Sequence, residues 1–312
     1  MTDVHAAERA FVARVWERVR ARVERYPAPL DAVSLDWFGA LAASPGGFFA
    51  EPDAAPVLFL ARWAVPELPE AEHVDLAEAT ALAYLYIRAQ DNVVDEPDAR
   101  GDAALLIASN AWIWDAMAVW SRDPAAAHPA RDAWLRFAAA TEAERRVVRA
   151  RDAYPESAFL SHCEKVALAE IPVLVALARV GRVHLAPRVR SLVHALGVAY
   201  GRMNDVVGHA RDLRAGMNTH LLAEVRAVVG VHATDAELAD ALARGPFLER
   251  ALERAAEDHA LALPHAAALG MAPFHGYHAR RVARLAELRH AVALLRLRAA
   301  LSATLATSRV LG

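Results

Sequence analysis

Cysteine is all but missing from this chain: Cys163 stands alone in 312 residues. One thiol excludes an internal disulfide and a cysteine-built zinc cluster, and it suits a reducing compartment. Lysine is nearly missing as well, since every basic side chain except Lys165 is an arginine or a histidine. Neither sign of charge prevails, with 35 Lys plus Arg against 38 Asp plus Glu. No global field therefore draws the chain to nucleic acid or to an anionic membrane, and an anionic ligand has to be gripped locally. Unbroken apolar runs are also lacking. LLIASNAWIWDAMAVW and VALAEIPVLVALARV are interrupted by Asp115 and Glu170, so no membrane span is expected. The opening MTDVHAAERAFVARVW carries acids early and no apolar block before a small-residue cleavage site, which makes it a poor signal peptide and the cytoplasm the expected location. G-x-x-x-x-G-K, G-x-S-x-G and H-E-x-x-H are absent, which removes the common nucleotide-binding, serine-hydrolase and zincin assignments.

What is present is helical periodicity. Apolar residues recur three and four apart with almost no alternating stretches, which predicts an all-α protein. Helices are expected near 4–26, 54–65, 73–95, 101–121, 129–151, 157–179, 187–215, 217–229, 235–260 and 276–308, divided by turn signals such as Pro27, Pro29, Pro97, Pro124, Pro155, Pro187, Gly216 and Pro264. With no low-complexity linker and no fixed-period repeat, residues 1–312 are expected to form a single domain, a large helical bundle. In the C-terminal helix Arg280, Arg281, Arg284, Arg289, Arg296 and Arg298 alternate with leucines, the pattern of a solvated bundle helix or, less simply, of a dimer face. His265, His275 and His278 sit in a Pro/Gly-rich segment without acidic company and mark a loop more than a metal site.

Two segments carry chemistry. In YIRAQDNVVDEPDARG, Asp91 and Asp95 stand at i and i+4 on the last turn of an apolar helix. Two carboxylates there repel one another and oppose the helix dipole, so a cation is expected to offset them. In MNDVVGHARDLRAGMN, Asn204, Gly208 and Asp212 stand at i, i+4 and i+8. A glycine between two oxygen-bearing side chains suggests space kept for water or ligand.

Together these segments resemble the metal motifs of class I terpenoid synthases, the all-helical isoprenoid synthase superfamily. Asp91-Asn92-Val93-Val94-Asp95-Glu96 is similar to D-D-x-x-D-E, with Asn92 in place of the second acid. Asn204-Asp205-Val206-Val207-Gly208-His209-Ala210-Arg211-Asp212 is similar to N-D-x-x-(S/T)-x-x-x-E, with Gly208 for the hydroxyl residue and Asp212 for Glu. These departures shorten, neutralise or remove a ligand, so water would have to complete that ion's shell. Lys165 lies 39 residues before Asn204, a spacing similar to that of the diphosphate-binding lysine of prenyl diphosphate synthases.

The resemblance covers roughly Ala77 to Glu224. It implies an antiparallel bundle with a central apolar cavity and a cluster of three Mg²⁺ ions held by Asp91, Asp95, Asn204 and Asp212. Lys165, Arg88 and Arg211 would bind the substrate diphosphate, and Tyr84, Ile87 and Tyr200 would line the cavity. Trp112 and Trp114 join Tyr84 and Tyr200 as aromatic faces able to stabilise a carbocation. The implied activity is ionisation of a short prenyl diphosphate, geranyl or farnesyl, to an allylic cation that is cyclised or quenched, as in a terpene synthase. Alternatives are a prenyltransferase joining two isoprenoid units and an inactive prenyl-diphosphate-binding relative. No N-terminal lysine is present, and Ala99-Arg100-Gly101 stands where chain-elongating synthases carry Arg-Arg-Gly, which favours one substrate over two. A homodimer is a possible assembly.

Overall fold

The structure is a computed structural model that describes residues 4–42, 52–95, 102–148 and 153–310. Among the described residues there is no strand, and the protein is all-α. The order is α1 (Val4–Val23), α2 (Leu30–Ala42), α3 (Leu60–Ala64), α4 (Glu70–Asp95), α5 (Asp102–Trp120), α6 (Pro124–Val148), α7 (Glu156–His162), α8 (Glu170–Arg179), α9 (Ala186–Arg214), α10 (His220–Val229), α11 (Asp235–Arg244), α12 (Phe247–Ala260), α13 (Leu263–Ala268) and α14 (Phe274–Val310).

The helix boundaries depart from the periodic expectation in five places, one of them the short α13, which takes in Pro264, expected as a turn signal, and His265, expected in a loop. No helix was expected over α2, which follows Pro27 and Pro29 closely. The segment expected near 54–65 is two short 3₁₀ turns and the five-residue α3, since Pro52 and Pro56 each restart the chain. The span 157–179 is divided, because Cys163–Ala169 between α7 and α8 is 3₁₀. The span 235–260 breaks at Gly245 and Pro246 into α11 and α12. Thr234 opens α11 with a capping box shared with Glu237.

The chain forms two compact units. One comprises Met1–Trp134, Leu168–Val189 and Ala266–Pro273; the other comprises Leu135–Ala167, Arg190–His265 and Phe274–Gly312. In the first unit α4 packs along α5 and α1, and α8 packs on α3 and α4. Ala77, Ala79, Ala81 and Ala83 on α4 and Ala108 and Ala116 on α5 are buried, and such small side chains let helix backbones approach closely. Phe11, Phe38 and Trp112 complete this core, and each buried large apolar side chain contributes roughly 2–3 kcal/mol. Trp112 Nε1 donates to Ser34 Oγ at 2.9 Å, which satisfies the one polar atom the indole buries.

A seam of charge in the first unit runs between α1 and α4. There Arg18 Nε donates to Glu78 at 2.9 Å and its Nη2 to Asp75 at 2.6 Å, and Arg22 donates to Glu78 as well. Residues 103–120 of α5 are long and apolar enough to cross a membrane by length and composition alone. One side of that helix is buried against α4, and its acid, Asp115, accepts from Tyr26 Oη at 2.9 Å.

The second unit packs α12 on α14, α10 on α11 and α12, and α11 on α14. Its apolar cluster runs through Leu221, Leu222, Val225, Leu238, Leu242, Leu252 and Leu285. Here charges lie inside as well. Arg202 of α9, 7% exposed at its side chain, donates from Nε to Asp258 at 2.6 Å and from Nη2 to Glu156. Its guanidinium also lies 4.8 Å from the Phe159 ring centre.

Candidate functional site

In its last turns α4 leaves the core of the first unit. Tyr84, Ile87, Arg88 and Asp91 follow one another at i, i+3, i+4 and i+7, so they share a face, and all four are half-buried. The helix is held from its other side. Tyr86 stacks on Trp134 at 6.2 Å, and Gln90 Nε2 donates to its hydroxyl at 2.5 Å. The side chains of Asn92 and Asp95, and residues 96–101 with the Ala99-Arg100-Gly101 triplet, lie outside the described residues.

In the second unit the orientation of α9 is set by glycines. A Cβ at Gly197 would come within 2.4 Å of Val166 Cγ2 and 2.9 Å of the Cys163 carbonyl oxygen, and one at Gly201 would come within 3.2 Å of the Phe159 ring. Helix α9 therefore lays its glycine face directly against α7 and the 3₁₀ stretch. Asp205 and Asp212, seven residues apart, fall on the same side. Asp205 Oδ2 accepts the Leu221 N–H at 3.1 Å. Burial pushes the Asp205 carboxyl up to about 7; the charges of Asp212 and Glu144 add to that, while the Leu221 N–H and Arg202 oppose it.

Asp212 is 2% exposed and accepts from Arg211 Nε at 3.0 Å and Nη2 at 2.9 Å. The space that Gly208 leaves is taken by this carboxylate, since a Cβ there would lie 2.9 Å from Asp212 Oδ2. The flank with Tyr200, Asn204 and Arg211 is exposed.

Lys165 lies in the 3₁₀ stretch and pairs with Glu144 of α6. Close by, Tyr154 Oη and His162 Nδ1 share a buried hydrogen bond of 2.5 Å, and burial raises the phenol and lowers the imidazole. The second unit thus brings Glu144, Lys165, Asp205 and Asp212 into one electrostatic neighbourhood, beside the Tyr154–His162 pair. Asn204 stands apart from them, on the solvent side of α9. Sequence reasoning missed Glu144, which nothing in TEAERRVV distinguishes from Glu142. It also gave Asp205 no role, and the spacing from Gly197, Gly201 and Gly208 does not separate Asp205 from Asn204; the Leu221 N–H that holds Asp205 comes from sixteen residues further on.

Asp91 at the end of α4 offers the hard oxygen chemistry a divalent cation prefers. The α9 donors fit less well as they stand, with Asn204 exposed and Asp212 bound by Arg211. Among the described residues no group of three or more His, Cys, Asp or Glu is placed to hold a metal ion.

Comparison with solved structures identifies the fold as that of the all-helical isoprenoid synthases. A decaprenyl diphosphate synthase from Rhodobacter capsulatus matches with a TM-score of 0.70 at 17% identity, over 92% of this chain and 98% of that one. A geranylgeranyl pyrophosphate synthetase from the archaeon Geoglobus acetivorans matches with a TM-score of 0.67 at 14% identity, over 92% and 99%. A polyprenyl synthase from Caulobacter crescentus CB15, complexed with calcium and isoprenyl diphosphate, matches with 0.63 at 16% identity, over 84% and 92%. No protein-family model and no curated protein matches the sequence. At these identities the likeness is one of fold.

Proposed function

We propose that this chain is an isoprenoid synthase that ionises an allylic prenyl diphosphate and joins the resulting cation to a second isoprenoid unit. The observation that supports this most is the likeness, over 84% to 92% of the chain, to structures described as a decaprenyl diphosphate synthase, a geranylgeranyl pyrophosphate synthetase and a polyprenyl synthase. In this reading the allylic carbon–oxygen bond breaks and its electron pair leaves with the diphosphate. The double bond of isopentenyl diphosphate then attacks the cation, and a proton is lost from the adduct.

Arg88, Lys165 and Arg211 carry the charge complementary to diphosphate, and guanidinium groups grip phosphate oxygens in bidentate fashion. Lys165 would exchange Glu144, and Arg211 would exchange Asp212, for the arriving anion. That second exchange would release the Asp212 carboxylate. Asp91 and Asp95, with Asn204 and Asp212, are the proposed holders of Mg²⁺, which when bound neutralises charge on the leaving diphosphate. Tyr84, Ile87 and Tyr200 would contact the prenyl chain.

A second reading, terpene synthase chemistry on one prenyl diphosphate, is favoured by the absence of an N-terminal lysine and by Ala99-Arg100-Gly101 where chain-elongating synthases carry Arg-Arg-Gly. One experiment separates the two. The purified chain is incubated with Mg²⁺ and geranyl, farnesyl or geranylgeranyl diphosphate, each alone and with isopentenyl diphosphate, and both diphosphate release and organic products are measured. Longer prenyl diphosphates formed only with isopentenyl diphosphate are the expected result. Hydrocarbon or alcohol from one substrate alone selects the second reading. Release no faster than in Asp91→Ala, for every substrate, overturns both.

A further inference from the structure

A cleft between α1 and α2, in the first unit, has no part in that function. It encloses about 310 Å³ and is lined by Trp16, Arg20, Leu35, Phe38 and Gly39. Four of the five lining residues are uncharged. Arg20 supplies the one cation, and its nearest acid is Glu24 at 3.7 Å, one turn along α1, in a pair with both side chains about half exposed. Such a pair is weak and gives way readily to a better anion.

The wall of the cleft is stiff. Phe38 is fully buried, 4.8 Å from Trp112 and 5.9 Å from Trp16 by ring centres, while Trp37 stacks on Trp112 at 5.5 Å. Gly39 has no conformational reason to be glycine, since it lies within α2 and is not among the positive-φ glycines. It has no packing reason either, because a Cβ there would meet nothing within 4 Å, in contrast to Gly197 and Gly201. Glycine inside a helix costs about 1 kcal/mol against alanine, and here the structural result is an open cleft.

We propose that this cleft binds a small amphiphile, an apolar chain carrying one anionic group, with the chain against Trp16, Leu35 and Phe38 and the anion on Arg20. A volume near the lower end of small-molecule sites, roughly 300–1,000 Å³, suits a single short chain. Lining with one cation and no carboxylate selects an anionic head over a neutral or cationic one.

The probes are octanoate, octyl phosphate and octanol, titrated against the full chain with tryptophan emission as the signal. Trp16 lines the cleft, and Trp37 and Trp112 stand behind it. Saturable binding is expected for the two anions, with octanol weaker by about tenfold or more. Whether octanoate or octyl phosphate binds more tightly assigns the head group as a carboxylate or a phosphate ester. Arg20→Ala should bring both anions down to the octanol level. Gly39→Leu, whose side chain has room to occupy the cleft, should weaken anion binding by about tenfold or more while the thermal midpoint stays level or rises.

Unchanged binding in Gly39→Leu, equal binding of octanol and the anions, or no saturable binding of any probe overturns the proposal. The titration is repeated in Asp91→Ala with excess inorganic diphosphate. Loss of the signal there would place the probes at the diphosphate site and overturn the proposal as well.

Discussion

Asp91 and Asp212 occupy comparable places in the sequence, each the acid of a short polar segment on a long helix, yet their physical settings are opposite. Asp91 stands on a stretch of α4 anchored by alanines, leucines and aromatic rings, with the ion pairs of that helix to α1 more than three turns away at Asp75 and Glu78, and its own face is half-buried. Asp212 stands on a helix embedded among charges, with Arg202, Asp258, Glu156, Glu144 and Asp205 around it. The first unit separates its chemistry from its stability. In the second, the groups that keep α9 in position are themselves ionised, so salt and pH reach the candidate site through the fold.

The sharpest way to break this contrast is Arg202→Met. It leaves Asp258 without its partner in a part-buried position, and removing one member of such a pair costs about 3 kcal/mol or more. Chemical denaturation checks this; a midpoint within error of the parent would mean that α9 is not held by charge.

Acid is expected to act next. His259 of α12 and His278 of α14 share a hydrogen bond at 2.8 Å between their Nδ1 atoms. Burial, then the neighbouring His278 and Arg281, lowers His259 to about 4. Its folded value lies below the unfolded value of about 6.5, so the unfolded chain takes up the proton first. The contribution is fully present above about pH 6.5 and is lost as pH falls toward about 4, up to ~3 kcal/mol in all. In His259→Phe, which keeps the ring between Phe274 and Tyr277, the stability–pH curve should flatten over that range; an unaltered slope would assign the acid sensitivity elsewhere.

Gly197→Ala inserts a methyl where Val166 and the Cys163 carbonyl already stand. Overpacking less the gain in helix propensity predicts a loss of about 1–2 kcal/mol, read from thermal unfolding, and a neutral result would show the 3₁₀ stretch to be free to yield. In the first unit Trp112→Phe, which removes the N–H donated to Ser34, is expected to cost about 1 kcal/mol with no pH dependence. Smallest is Asp91→Asn, within about 0.5 kcal/mol of the parent in stability, while diphosphate release falls steeply. A large stability loss at Asp91 would erase the difference between the two regions.

Much of the fold was legible because 3.6-residue periodicity and proline punctuation are local. The exceptions have physical causes. Helix α2 is apolar over much of its girth, with Trp37, Phe38, Leu35 and Val33 turned to several sides, so it lacks a contrasting polar stripe. The 3₁₀ stretch at Cys163–Ala169 keeps a helical composition and differs only in winding, which the Gly197 and Gly201 contacts accompany. On α4 the spacing sufficed to put Tyr84, Ile87, Arg88 and Asp91 on one face. On α9 spacing alone could not say which side turns inward, because Asn204 and Asp205 are adjacent and only the packing partners choose between them. The glycines at 197, 201 and 208 stand three, four, seven or eight residues from both, so they do not make that choice; it falls to partners distant in sequence, such as the Leu221 N–H that Asp205 accepts.

Contact at Gly197 also gives α9 a fulcrum. Fifteen residues of helix separate it from Asp212, a lever of about 22 Å at 1.5 Å per residue. A tilt of roughly 10° at that point would carry the Asp212 carboxylate by about 4 Å, more than the length of a hydrogen bond. The absence of one methyl group thus governs a distance at the far end of the helix, and a wedge placed there would be felt first by the charges and only later by the core.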